Sequence, residues 1–221
     1  MEPGDKPPLN WPGGGSSASG EPDLESPALL RLFVALPLPE TVCAQIAQAQ
    51  ADLRRALAAS TVSWARVEQL HLTLRFLGWV ESARLRELNE RLAAGLAGFH
   101  APELECAGAG FFPDAHRPRV AWVGVDEPAG RLSELHQRVN AAVGDLAQAT
   151  AEGTFVGHIT LGRIKRFVVS DLPRLRRWLE AVRARRFGAW LAQEVLLFRS
   201  ELLPTGARHT VLSRFALAAK P

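Results

Sequence analysis

Two four-residue strings in this chain are nearly identical: His71-Leu72-Thr73-Leu74 and His158-Ile159-Thr160-Leu161, 87 residues apart. On a β-strand, side chains two apart share a face, so His and Thr point together while the apolar residues anchor the other side. Two such strands side by side aim two imidazoles and two hydroxyls into one groove. Histidine titrates near neutrality, so one neutral ring can take a proton from an attacking water while one charged ring gives a proton to a leaving oxygen. Threonine hydroxyls and nearby arginines can hold phosphate oxygens as charge develops on them. The pattern therefore reads as acid–base chemistry on a phosphodiester, with no metal or cofactor required.

Chance explains one such string better than two. With 6 histidines and 8 threonines in 221 residues, about 0.2 His-x-Thr triplets are expected. His100, His116, His136 and His209 have no shared spacing, and His136 falls on the solvent side of an expected helix. His71 and His158 lack the nearby carboxylate or third ligand that a metal site needs.

The elements that must position the motifs follow from apolar periodicity. Residues 29–36 read as a buried strand ended by Pro37 and Pro39, and residues 40–59 as a helix with Val42, Ile46, Leu53 and Leu57 in register. Strands are expected at 70–77, 102–112, 118–125, 157–165, 190–202 and 209–217. Helices are expected at 82–97 with Ser82 as N-cap, at 129–148, and from Pro173 with Leu175, Trp178, Leu179 and Val182 on its apolar face. Mixed elements with mostly antiparallel connections predict an α+β fold. The recurrence of a helix followed by a His-x-Thr strand predicts two pseudo-symmetric lobes, mainly antiparallel sheet with outer helices, around a central cleft.

Composition sets the boundaries. Of residues 1–27, 15 are Pro, Gly or Ser, so this stretch is expected to be a disordered tail preceding one folded domain over residues 28–221. No apolar run reaches membrane-span length and the N-terminus has no signal-peptide core, which predicts a cytoplasmic protein. Cys43 and Cys106 have no metal-like neighbours and read as reduced structural thiols, with a Cys–His catalytic pair left open. Positive charge is carried almost wholly by arginine, the only lysines being Lys6, Lys165 and Lys220. Guanidinium groups suit phosphate-bearing partners, although arginine-rich composition alone gives the same bias.

In order along the chain stand Arg31-Leu32-Phe33-Val34-Ala35-Leu36, Trp64, His71 to Gly78, Gly110-Phe111-Phe112-Pro113, Pro118-Arg119-Val120, Gly157 to Arg163, Arg199-Ser200-Glu201-Leu202 and Gly206 to Val211. This set resembles the 2H phosphoesterase superfamily, and within it the bacterial RNA 2',3'-cyclic phosphodiesterases, also called 2'-5' RNA ligases, from Leu30 to Leu217. The resemblance implies cleavage of a terminal 2',3'-cyclic phosphate to a 2'-phosphomonoester by a monomer acting on RNA ends or a related cyclic nucleotide. It implies His71 as proton donor, His158 as proton acceptor, and Thr73, Thr160 and Arg163 on the phosphate. Strict alternation puts Arg163 on the wrong face of its strand, so a bulge or strand end is needed there. Arg75 shares the face of His71 and Thr73 by parity, making it a further phosphate contact unless it pairs with an acid such as Glu201. Phe76 alternates to the core side. Phe111, Phe112 and Trp64 read as packing residues, one of which could reach a base. The chain departs from the family where His209 replaces an aromatic. Alternative readings are an ATP-independent 2'-5' RNA ligase running the chemistry backwards, an RNA-end-binding protein without turnover, and an enzyme acting on a small cyclic phosphate.

Overall fold

A computed structural model describes residues 28–127, 129–148, 154–204 and 206–219; the tail expected over residues 1–27 lies outside them. The opening apolar run forms β1 (Leu29–Pro37), buried without interruption from Leu32 to Leu36. Pro37 and Pro39 end it, and α1 (Glu40–Ala56) begins directly after Pro39, burying Val42, Ile46, Ala49 and Leu53. There follow β2 (Thr61–Trp64), β3 (His71–Glu81), α2 (Leu85–Leu96), β4 (Glu103–Phe112), β5 (Val120–Asp126) and α3 (Arg131–Val143). The chain closes with β6 (His158–Arg166), α4 (Leu172–Val182), β7 (Arg186–Leu191), β8 (Glu194–Leu203) and β9 (Gly206–Ala216).

The strands form one sheet in the order β7-β4-β5-β6-β3-β1-β8-β9, with β2 beside β6. Each pairing is antiparallel. The expected α+β class and internal repeat are both present, and the repeat extends to the register. β1 meets β3 through Pro37↔His71, Leu36↔Leu72, Ala35↔Thr73, Val34↔Arg75 and Phe33↔Phe76. β5 meets β6 through Gly124↔His158, Val123↔Ile159, Trp122↔Thr160, Ala121↔Gly162 and Val120↔Arg163. Each number in the second set is its counterpart in the first plus 87, including the one-residue irregularity after the threonine. The halves join at β3 and β6 through the single pair Leu72↔Ile159.

Helices cross between the halves. α1 follows β1 yet packs on α4 and β7, while α3 follows β5 yet packs on α2 and β3. The Trp178 indole N–H donates to the Ala49 carbonyl at 3.2 Å, fixing α4 against α1. This exchange buries one shared core beneath both motif strands, including Leu72, Leu74, Ile159 and Leu161. Among the described residues no helix is long and apolar enough to cross a membrane.

Several local expectations differ from the structure. Ser82 opens a 3-10 turn, Ser82–Arg84, and gives no side-chain cap to α2, which starts at Leu85. The strand expected over 190–202 is two strands, because the chain breaks at Ala192-Gln193 and passes from one part of the sheet to another, β7 pairing with β4 and β8 with β1 and β9. β2 escaped the periodicity reading because it has only four residues, alternately exposed and half-buried.

Candidate active site

The pair Leu72↔Ile159 places the two motifs antiparallel. Its flanking positions then set His71 toward Thr160 and Thr73 toward His158, so the two histidines occupy opposite corners of a four-residue array. All four side chains are half-buried, whereas Leu72, Leu74, Ile159 and Leu161 are fully covered. The array opens into a cleft of about 580 Å³ lined by His71, Thr73, Thr160, Arg163, Arg31 and Phe76, among others. His158 is not among the lining residues, although the register sets it across from Thr73, which is.

Both imidazoles are oriented the same way. His71 Nδ1 lies 2.7 Å from the Gln69 carbonyl, and His158 Nδ1 lies 2.8 Å from the Val156 carbonyl. A carbonyl only accepts, so each Nδ1 carries the hydrogen and each Nε2 is left to exchange protons with a ligand. In each motif the partner sits two residues before the histidine, a further product of the repeat. Burial pushes His71 down to about 4, with His209 and His158 lowering it further against the opposing Gln69 carbonyl.

The bulge foreseen for β6 is present. Trp122 pairs with Thr160 and Ala121 with Gly162, leaving Leu161 as the extra residue. Leu161 and Gly162 are both buried, after which Arg163 turns to the cleft and Ile164 to the core. Gly162 fits the bend because a Cβ there would come within 2.9 Å of the Trp64 ring. Gln50 of α1 holds the bulge, its amide donating to the Leu161 carbonyl at 2.9 Å and to the Ala65 carbonyl at 2.8 Å. A buried glutamine on an otherwise apolar helix face was the available signal for this residue, and sequence reasoning missed it.

The same bulge occurs in β3 and corrects the parity expectation there. Ala35 pairs with Thr73 but Val34 with Arg75, so Leu74 is the extra residue. Arg75 is therefore carried off the cleft face toward α3. There, after burial, its charge lowers His136. Phe76 takes the cleft position instead, 37% exposed, with the Arg31 guanidinium 4.4 Å from its ring centre. His136 is not solvent-facing as expected: it stacks on Phe155 at 4.0 Å. Phe111 packs on Trp178, while Phe112 meets His158 edge-on at 5.0 Å.

The two thiols are free, and burial raises both, Cys106 to about 12. Neither is a ready nucleophile, so the open possibility of Cys–His catalysis loses its chemical basis. Among the described residues no group of three or more His, Cys, Asp or Glu is placed to hold a metal ion.

A duplicated unit that supplies one His-x-Thr strand to each side of a shared cleft defines a two-histidine phosphoesterase. The sequence model of the LigT-like phosphoesterases matches twice, over residues 36–122 and 123–209, and the chain belongs to that family. The two matches meet where the structure repeats. An RNA 2',3'-cyclic phosphodiesterase of Methanothermobacter thermautotrophicus is 31% identical over 188 residues, 85% of this chain and 99% of the relative. One from Thermus thermophilus is 36% identical over 200 residues, 85% and 90% of the two chains. Among solved structures, TT0787 of Thermus thermophilus superposes with a TM-score of 0.72 at 29% identity, covering 87% of this chain and all of that one. Escherichia coli LigT with bound 3'-AMP superposes with a TM-score of 0.68 at 25% identity, covering 86% and 99%.

Proposed function

We propose that this protein hydrolyses the terminal 2',3'-cyclic phosphate of RNA to a 2'-phosphomonoester, without a metal ion, using His71 as proton donor and His158 as proton acceptor. The observation that carries the reading is the antiparallel motif pair, with two free Nε2 atoms and two threonines around one cleft. Water attacks phosphorus as His158 Nε2 takes its proton. The bond from phosphorus to O3' breaks as His71 Nε2–H protonates the departing oxygen, giving a 3'-hydroxyl and a 2'-phosphate. Solvent then returns the two imidazoles to their starting states. Thr73, Thr160 and Arg163 hold the non-bridging oxygens, where hydrogen bonds strengthen as charge builds. Arg75 has no part in this scheme, because the bulge turns it away. Phe76 and Arg31 offer a face and a charge to the terminal nucleoside.

The depressed His71 must still carry a proton when it acts. An anionic phosphate about 4 Å away contributes about 4 kcal/mol at an effective dielectric of about 20, roughly three pKa units. That is sufficient to bring a ring titrating near 4 back to neutrality, so the substrate loads its own acid. Both motifs come from one chain, which suits a monomer, and free thiols suit the cytoplasm.

The assignment of roles is tested by the leaving group. A diester with a p-nitrophenolate leaving group needs no acid. His71→Ala should therefore lose far less activity on it than on the cyclic phosphate, while His158→Ala loses activity on both. The opposite pattern would exchange the two roles.

A further inference from the structure

The repeat makes the two motif histidines alike in tautomer and partner, yet their surroundings differ. The β8–β9 hairpin is the source. It pairs through ten positions, from Glu194↔Ala216 to Leu203↔Gly206, and carries His209 opposite Ser200. In the other half β4 and β7 pair only from Glu103↔Leu191 to Ala107↔Arg186, so among the described residues no strand extends to the matching place beside His158.

Of the two motif histidines, His209 consequently meets only His71. The rings stand edge to face, with centres 5.5 Å apart and planes at 87°. Phe33 underlies both, stacked on His71 at 4.8 Å and edge-on to His209 at 4.9 Å, with Phe198 stacked on Phe33 at 4.9 Å. His209 Nδ1 is buried. Besides the cleft there is a second cavity of about 550 Å³, lined by Pro37, Cys43, Glu40, Glu68 and other residues. Gln69, His71 and His209 line both, so these three side chains form the wall between the cavities.

We propose that His209 is a positioning residue for His71: it closes the wall behind that ring, holds it against Phe33 and the Gln69 carbonyl, and makes the two motif histidines inequivalent toward the phosphate. This rests on the two-histidine reading of the cleft. Two imidazoles this close also resist being charged together. Burial and then Arg31 lower His209 itself, against the opposing Arg208 backbone. The other charged or titratable groups around the pair are Arg31 on β1, Arg66 between β2 and β3, His158 and Arg163 on β6, and Glu40, Cys43 and Glu68 on the second cavity. All remain unchanged when only His209 is replaced.

The test follows individual imidazoles by NMR titration of the ligand-free protein, so its outcome does not depend on turnover. His209→Phe keeps the ring packing and His209→Gln keeps polarity without charge. Both should raise the His71 midpoint by roughly half a unit to one unit, while His158 stays in place. Both should move the pH–rate profile for a cyclic phosphate in the same direction, with kcat changed more than KM. In the parent protein the His71 resonances should show a second inflection at the His209 midpoint, a readout available even if neither variant folds. An unaltered His71 midpoint in folded variants, an equal shift at His158, or no second inflection in the parent would each overturn the proposal.

Discussion

At the scale of single residues, the proton inventory of the cleft is the most demanding part of the account. Burial pushes His71 down to about 4, so at neutral pH an anionic ligand is what brings it to its charged form. Binding a 2'-phosphorylated product near pH 7 should accordingly take up a proton. Calorimetry in buffers of different ionisation enthalpy measures this directly, with the observed enthalpy rising or falling linearly with that of the buffer. His71→Gln should abolish most of the uptake. A parent protein that binds product with no buffer dependence would show that His71 is not loaded in this way.

At the scale of elements, one bulge decides what the cleft contains. Leu74 in β3 and Leu161 in β6 are equivalent extra residues, and each turns the fifth residue after the start of its motif inward: Phe76 in one half, Arg163 in the other. The apolar anchors, the helices and the paired histidines were legible in the sequence because period-two and helical patterns report burial directly. The bulge was not, because it depends on the cross-strand register, which one strand's alternation does not encode. Parity therefore misplaced Arg75 and Phe76 together, while the same device in β6 was foreseen only through the family likeness. β2 was missed for a different reason: a four-residue strand is too short to show a period. Gln50 supplies the buried amide that ties α1 to the β6 bulge. Gln50→Leu leaves the Ala65 carbonyl without that donor and should cost about 1–3 kcal/mol in urea unfolding. It should lower phosphodiesterase kcat more than an exposed helix substitution such as Gln48→Leu. Equal activities in the two variants would separate the bulge from catalysis.

At the scale of the whole molecule, the exchange of helices between halves makes the cleft part of the core, so its histidines weigh on stability as well as on chemistry. His71, His136 and His209 are all lowered, with burial the largest cause for each. Between about pH 6.5 and 4 the unfolded chain binds protons that the fold excludes, so stability is fully present above that window and is lost as pH falls through it. For His71 alone the loss from pH 7.5 to 5 is about 2 kcal/mol. Urea midpoints at the two pH values should show it, and His71→Gln should flatten the difference. The most direct test of the central claim remains hydrolysis of a short RNA ending in a 2',3'-cyclic phosphate, in EDTA, by the parent, His71→Ala, His158→Ala and the double variant. The account predicts a 2'-phosphate product from the parent, a loss of about 10²- to 10⁴-fold in each single variant, and little further loss when both are combined. No turnover by the parent, or undiminished turnover by both single variants, would contradict it.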